Sequence, residues 1–448
     1  MSIKTFTLTT LGCRVNQYET QSVREALLAL GLRESRGEEK SDLYLINTCA
    51  VTGESVRKDR QVIRRALAVK AQDPAVVVCV CGCFSQGVAS DPVFEQVDVL
   101  CGNTRKGSLA PLLAELAETP PERRRRLDLR EDISAVRKYE PMSLCRSHNA
   151  RAFIKIEDGC NSFCSYCYVP LVRGRVRSRG EEEILTEACR LAENGYREIV
   201  LTGIETGAYG TDLTPKRSLA ELVERLHGLE GIERIRFGSL KPSLFTEELC
   251  SRLAALPKVM PHFHLSFQSG SDAVLSRMGR RYTRREEEAA LDAIYKFFPD
   301  AGLSADLICG FPGEREEDFS ETASLVERAG LLHTHIFPFS PREGTKAATM
   351  VDPVPEQVKK ERCAALLAVA EKQSRAFAEK RTGKSYRVLC ERVRGGAMEG
   401  YTENFIHTAT RGESFEVGRV YTVTLTPEVR FDSSTLTVLS NPFKEVDN

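Results

Sequence analysis

The sequence predicts an α/β protein in three parts: an open parallel α/β sheet, an incomplete TIM-like (β/α)6 barrel, and a small antiparallel, OB-like β-barrel. Three observations predict it. Short apolar runs of β-type alternate with helix-type stretches over residues 1–115 and again over 146–376, and such alternation builds parallel sheets covered by helices. The second stretch holds six such runs, fewer than the eight of a complete barrel. Over 378–442 the helical stretches give way to short β-type runs separated by Gly-containing turns, the pattern of a small closed barrel.

In the first part, strands are expected over residues 6–10, 43–46 and 76–80, with helices over 21–30 and 55–70. Residues 116–145 change character. Pro120-Pro-Glu-Arg-Arg-Arg-Arg126 has no apolar period and reads as a charged linker. The barrel strands are expected over 152–156, 198–202, 234–238, 262–266, 304–308 and 333–337. In such barrels the chemistry collects at the C-terminal ends of the strands. The last part is expected to use strands over 386–390, 415–417, 420–425 and 435–439.

Lys+Arg and Asp+Glu each number 63, so the net charge is zero and contact with a polyanion has to use local basic patches. No apolar run of membrane length occurs. Met1-Ser-Ile-Lys-Thr-Phe lacks the apolar core of a signal peptide, so a cytoplasmic address without membrane association is expected. Fifteen cysteines, an odd number, argue for metal binding rather than a disulfide framework. Cys189, Cys250, Cys309 and Cys363 sit in apolar contexts and are expected to act as packing residues.

Two groups of cysteines stand out. Cys160-Asn-Ser-Phe-Cys164-Ser-Tyr-Cys167 directly follows the first barrel strand. Three thiolates so spaced suit three corners of one cubane cluster, leaving one iron open to a small ligand. Zinc also takes Cys-x-x-Cys, but wants a fourth ligand, and His148 lies upstream in the linker. In the first part, three strands end in Thr10-Leu-Gly-Cys13, Asn47-Thr-Cys49 and Cys81-Gly-Cys83. Ligands of open parallel sheets bind beyond the strand C-termini, so these thiols converge on a second metal site, with either Cys81 or Cys83 from the third strand.

These blocks resemble the radical-SAM methylthiotransferase family. Leu11-Gly-Cys-Arg-Val-Asn-Gln-Tyr-Glu19, Asn47-Thr-Cys-Ala-Val51 and Cys81-Gly-Cys-Phe-Ser-Gln86 look like its N-terminal domain, and the central triplet like its radical-SAM signature. The resemblance implies a [4Fe-4S] cluster on Cys160, Cys164 and Cys167 that binds S-adenosylmethionine (SAM), and an auxiliary [4Fe-4S] cluster on Cys13, Cys49 and Cys83. Tyr166 would lie by the SAM adenine. Thr202 and Gly203, Ser266 and Gln268, Gly310, and Phe337 fall in segments similar to the family's SAM contacts. It further implies a TRAM domain for RNA over 378–442. No acid–base pair is evident.

The resemblance also implies the reaction. Sulfur at the auxiliary cluster is methylated by one SAM, a second SAM yields an adenosyl radical, and a carbon–sulfur bond forms at adenine C2. Leu171-Val-Arg-Gly-Arg-Val-Arg-Ser-Arg179 alternates Arg173, Arg175, Arg177 and Arg179, which on an extended loop would present one positive edge to phosphate. Arg175 stands where other types more often place an acidic residue. This resembles the type acting on N6-threonylcarbamoyladenosine at position 37 of tRNA, rather than on isopentenyladenosine or a ribosomal-protein aspartate. A non-enzymatic iron–sulfur RNA-binding or redox-sensing protein is the rival from another class. Arg392 and Arg394 lie in a basic stretch, and Tyr401 follows a glycine-rich turn where it would stack on RNA. The implied partners are the tRNA anticodon loop, an electron donor such as flavodoxin or ferredoxin, and a sulfur donor.

Overall fold

The computed structural model describes residues 4–445 except 37, 38, 89, 148, 413, 433 and 434. His148 lies outside the described residues. The chain opens with β1 (Thr5–Thr10), α1 (Arg14–Ala29), β2 (Arg33–Glu34), β3 (Leu43–Thr48), α2 (Gly53–Gln72), β4 (Val77–Gly82), α3 (Cys83–Gly87), β5 (Val99–Leu100), α4 (Leu109–Glu118) and β6 (Leu127–Asp128). The strands form one parallel sheet in the order β2-β1-β3-β4-β5-β6. Every residue of β4 is buried, as expected of a strand covered on both faces.

Two boundaries differ from the sequence reading. Helix α1 starts at Arg14, not near residue 21, because its first turns bury Asn16 and Glu19 in polar contacts and so carry no apolar period. The segment read as a linker supplies β6, where Leu127 pairs with Val99. Two ladder residues inside a charged stretch are too few to produce a visible alternation. Upstream, Arg124 is tied to the Ala75 carbonyl at 2.8 Å.

The second part runs β7 (Ala152–Lys155), β8 (Glu157–Asp158), α5 (Val169–Arg173), β9 (Arg177–Ser178), α6 (Glu181–Glu193), β10 (Glu198–Thr202), α7 (Leu219–His227), β11 (Arg234–Phe237), β12 (Ser239–Leu240), α8 (Glu247–Ala254), β13 (His262–Gln268), α9 (Asp272–Met278), α10 (Arg284–Phe297), β14 (Gly302–Cys309), α11 (Glu316–Ala329), β15 (His333–Pro338) and α12 (Glu356–Glu379). The parallel neighbours are β7-β10-β11 and β12-β13-β14-β15. Strands β11 and β12 are consecutive pieces broken at Gly238, so six strand positions form a barrel left open between β7 and β15. Phe263, Leu265, Phe267, Leu303, Ala305 and Leu307 pack outward into the helix layer. The alternate positions, His262, His264, Ser304 and Asp306, therefore face the barrel lumen.

The third part comprises β16 (Ser385–Arg394), β17 (Ala397–Tyr401), β18 (His407–Arg411), β19 (Val420–Asp432) and β20 (Thr435–Glu445), closed in the order β16-β17-β18-β20-β19. The pairs are antiparallel except β18 with β20, which is parallel. Residues 415–417 form no strand, and Phe415 instead packs edge-on against Tyr421 at 5.1 Å. β17 and β18 escaped the sequence reading because Gly, Glu and Thr fill them. Gly395 and Gly396, both at positive φ, make the tight β16–β17 turn.

This small barrel is docked on the N-terminal end of the larger one. Arg236 donates to the carbonyls of Thr402 at 2.7 Å and Glu403 at 2.9 Å. Phe405 stacks on His262 with ring centroids 3.9 Å apart. No described helix is long and apolar enough to cross a membrane.

Candidate active site

Cys13, Cys49 and Cys83 follow β1, β3 and β4, which are adjacent in the sheet. Register places Thr10 beside Asn47, and Thr48 beside Gly82, so the three cysteines leave the sheet at one level. Cys13 caps α1 and Cys83 opens α3. Two glycines allow the approach. A Cβ on Gly12 would lie 2.8 Å from the Cys49 sulfur, and one on Gly82 would lie 2.5 Å from the Thr48 carbonyl oxygen. Gly82 also sits at φ +103°. Gly82→Ala is therefore expected to cost about 3 kcal/mol, the sum of a strained backbone and a clash with main chain that cannot yield. A denaturation midpoint unchanged from the wild type would show that the turn has other ways to form.

The thiols feel one another. Burial pushes Cys49 up to about 11, with Cys83 and Cys13 adding to the rise. Burial raises Cys13 too, against the pull of Arg173. Asn103 donates to the Cys83 sulfur at 3.5 Å. The Cys49 amide donates to the Asp59 carboxylate at 3.1 Å. Cys79 and Cys81 point to the opposite face of β4, into the core with Phe6, Leu27 and Leu113. The structure thus separates Cys81 from Cys83, a choice the spacing left open.

Cys160, Cys164 and Cys167 lie on the loop between β8 and α5. Ser165 pins this loop to the end of α9, its amide donating to Met278 at 2.8 Å and its hydroxyl to Arg277 at 2.8 Å. The Ser162 amide donates to the Cys160 sulfur at 3.4 Å. Burial and the two neighbouring thiols push Cys167 up to about 12. The two triads are neighbours: α3 packs on α5, with Tyr168 donating to the Gly87 carbonyl at 2.7 Å and Asn103 to that of Val172 at 2.9 Å. Among the described residues neither triad has its three sulfurs within 4.8 Å of one another. Each triad offers three thiols, the donor type that holds iron–sulfur clusters.

The residues expected to contact SAM sit at the ends of the barrel strands. Thr202 and Gly203 end β10, Ser266 and Gln268 end β13, Gly310 follows β14, and Phe337 lies near the end of β15. All are at the C-terminal ends of barrel strands; the cavity of ≈ 290 Å³ at the cysteine loop is lined instead by Ser162, Cys164, Glu205 and Arg280. Gln268 is held at φ +69° and Gly310 at φ +71°. A Cβ on Gly203 would strike the Glu157 carboxylate, whose Oε2 has no hydrogen-bond partner among the described residues. Phe337 is 47% exposed. Tyr166 stands edge-on to Phe311 at 6.2 Å and accepts from Arg280 at 2.7 Å. These features fit an adenosyl and amino-acid ligand laid across the strand ends.

The four alternating arginines do not present one edge. Arg173, Arg177 and Arg179 are buried. Arg173 pairs with Glu19 at 2.9 Å and Asp158 at 3.0 Å. Arg177 pairs with Asp158 at 3.6 Å, and Arg179 with Glu187 at 2.5 Å. Turns at α5 and β9 rotate the chain, so alternation in sequence does not become alternation in space. Arg175 alone is exposed, 5.3 Å above the Phe163 ring. Arg392 and Arg394 are exposed on β16. Tyr401 is not free to stack on RNA: it lies on Phe405 at 4.3 Å beneath Arg151 at 5.0 Å, where the two barrels meet.

The barrel lumen was not anticipated as a site. His264 and Asp306 are 2.9 Å apart, and His335 completes a group with all ligand atoms within 4.8 Å. Below them Arg236 pairs with Glu198 at 2.8 Å, and Arg151 with Glu391 at 2.6 Å. Arg14 enters from the first part, 5.8 Å over the Phe153 ring. It is solvent-accessible yet ringed by protein, and burial together with Arg151 lowers its pKa. The signal in the sequence was histidine at alternate positions of two strands, His262 with His264 and His333 with His335.

Residues 154–326 match the radical SAM superfamily, and residues 5–102 match an uncharacterized protein family, UPF0004. The chain is 35% identical over 421 residues to the threonylcarbamoyladenosine tRNA methylthiotransferase MtaB of Bacillus subtilis, covering 92% of each chain. It is 38% identical to the MtaB of Chlamydia pneumoniae over 90% of each. It is also 35% identical to the tRNA-2-methylthio-N(6)-dimethylallyladenosine synthase of Pelotomaculum thermopropionicum over 95% of each. Among solved structures it resembles the radical S-adenosylmethionine methyltransferase TsrM of Kitasatospora setae, with cobalamin and a [4Fe-4S] cluster bound. There the TM-score is 0.54 at 18% identity over 77% of each chain, a likeness of fold.

Proposed function

The chain belongs to the radical-SAM tRNA methylthiotransferases, and on that premise we propose that it methylthiolates adenine C2 of N6-threonylcarbamoyladenosine beside the tRNA anticodon. Enzymes of this kind use SAM and [4Fe-4S] clusters. The product of the proposed reaction is 2-methylthio-N6-threonylcarbamoyladenosine.

One observation carries the substrate assignment. The lumen behind the two thiol triads is lined by imidazoles and ion pairs, His264 with Asp306, Arg236 with Glu198 and Arg151 with Glu391. A threonylcarbamoyl group offers a carboxylate, a hydroxyl and amide groups to such a lining. An isopentenyl group offers nothing polar to such a lining, and seating apolar atoms against these charged groups is unfavourable.

In this reading Cys160, Cys164 and Cys167 hold one cluster and Cys13, Cys49 and Cys83 the other. When bound, these groups and SAM supply reductive carbon–sulfur chemistry and the transferable sulfur. The chain's own part is geometric. The Ser165 contacts fix the central loop against α9. Packing of α3 on α5 holds the two triads side by side, so that one base is positioned against both. Thr202, Gly203, Ser266, Gln268, Gly310, Phe337 and Tyr166 hold SAM across the strand ends. Of the arginines expected to meet RNA, Arg175, Arg392 and Arg394 are exposed and would meet the RNA backbone. An electron donor such as flavodoxin or ferredoxin and a sulfur donor complete the system, in the cytoplasm.

Mass spectrometry of tRNA nucleosides from a strain lacking the gene tests the assignment. The methylthio form of threonylcarbamoyladenosine is expected to vanish while its unmethylthiolated precursor accumulates. Loss of methylthio-isopentenyladenosine in its place would transfer the chain to the other substrate.

A further inference from the structure

We propose that Arg14 is the residue that reads the carboxylate of the threonylcarbamoyl group, with the His264–Asp306 pair and His335 receiving its hydroxyl and carbamoyl groups. The inference rests on the substrate reading above and assigns it to side chains.

Arg14 differs from the other lumen cations. Arg151 is paired with Glu391, and Arg234 and Arg236 with Glu198. Among the described residues the Arg14 guanidinium makes no hydrogen bond or ion pair, and it lies 5.8 Å over the Phe153 ring. Asp306 and Glu391 lie near enough for their charge to be felt, but neither is hydrogen bonded to it, so the donor fork is open to an incoming carboxylate. Its planar donor fork matches a carboxylate bidentately. It lies over Phe153 of β7, and its charge is felt at His262, Asp306 and His335 of the lumen.

The position selects the ligand. Arg14 opens α1 directly after Cys13, so its backbone is fixed at the first thiol triad while its side chain lies over Phe153 of β7. The SAM carboxylate is a poor candidate. SAM contacts cluster at the C-terminal ends of the strands, whereas His262 and Arg151 belong to the N-terminal end. An RNA phosphate is too bulky, with its chain on either side, to enter a lumen floored by Tyr401 and Phe405. A divalent cation on His264, Asp306 and His335 is disfavoured by the unpaired positive charge of Arg14 beside it. Those three groups, with His264 and Asp306 already hydrogen bonded, instead offer directed donors and acceptors to a neutral hydroxyl or amide.

The test is binding, read by fluorescence anisotropy with labelled anticodon stem–loops, using full-length protein anaerobically reconstituted to equal iron and sulfide content. The stem–loops carry threonylcarbamoyladenosine, its analogue without the carboxylate, or isopentenyladenosine. Wild type is expected to prefer the carboxylate-bearing loop over the analogue by about 10- to 100-fold, the value of a charged hydrogen-bonded pair. Arg14→Gln should abolish that ratio, and Arg14→Lys should keep part of it. Wild-type preference retained in full by Arg14→Gln overturns the role of Arg14 and leaves the substrate reading intact. Wild type binding the isopentenyl loop best overturns the substrate reading, and this inference with it.

Discussion

Replacing Cys160, Cys164 and Cys167 together by alanine is expected to halve the iron of the anaerobically reconstituted protein, from about eight to about four atoms per chain, and to abolish formation of 5′-deoxyadenosine from SAM. The reasoning is local. The three sulfurs sit on one loop pinned at Ser165 to the main chain of Arg277 and Met278, so their removal takes away every thiol of that site. The second triad stands on a different sheet, at the ends of β1, β3 and β4, and keeps its own donors. The reciprocal variant, with Cys13, Cys49 and Cys83 replaced, should lose the other half of the iron yet still cleave SAM, while transferring no methylthio group. The pair of variants matters more than either alone, because a general loss of folding would remove both cubanes. Wild-type protein that binds a single cubane, or a triple variant that retains both, would dismantle the assignment of two separate cluster sites.

The contrast between what sequence did and did not disclose follows from how each signal arises. The placement of the two cysteine groups was legible because they follow strand ends, and strand ends are marked by apolar runs. β4 is buried throughout and reads as one such run. The choice of Cys83 over Cys81 was not legible from spacing. It depends on which face of β4 a residue takes and on the positive φ of Gly82, which turns the chain toward Cys49. The arginine alternation misled for a related reason: period two predicts a shared edge only on an extended chain, and α5, Gly174 and β9 interrupt this one. Tyr401 was likewise read as an RNA contact because a sequence does not say where one domain rests on another.

The buried charge between the first part and the barrel yields the other large effect. Four cations, Lys106, Lys155, Arg173 and Arg177, surround two carboxylates, Glu19 and Asp158, all essentially without solvent contact. Lys155 bridges Glu19 at 2.7 Å and Asp158 at 2.8 Å, and Lys106 also reaches Glu19. Arg173, Lys106 and Lys155 hold the Glu19 carboxyl well below the usual carboxylate range despite its burial. Glu19→Gln removes one of the two anions and leaves those cations facing each other, so a loss of about 3–5 kcal/mol is expected. The pH dependence has a definite sign. A carboxyl depressed in the folded state contributes stability that is present above its unfolded pKa and is lost as pH falls toward the folded one. The wild type should therefore lose this contribution on acidification, and the variant, with Asp158 as the one network carboxylate left to protonate, should show a flatter acid limb. The excess of positive charge also has a purpose: Arg173 favours the thiolate of Cys13, and its charge is coupled to Cys83. An anionic cluster on those sulfurs would answer part of the charge that Glu19→Gln exposes, so the destabilisation should be larger in the cluster-free protein than in the reconstituted one. Anaerobic urea unfolding of both forms measures the difference. A loss below about 1 kcal/mol in the cluster-free form, or an equal loss in the two forms, would mean that the network serves the domain interface alone and not the cluster beside it.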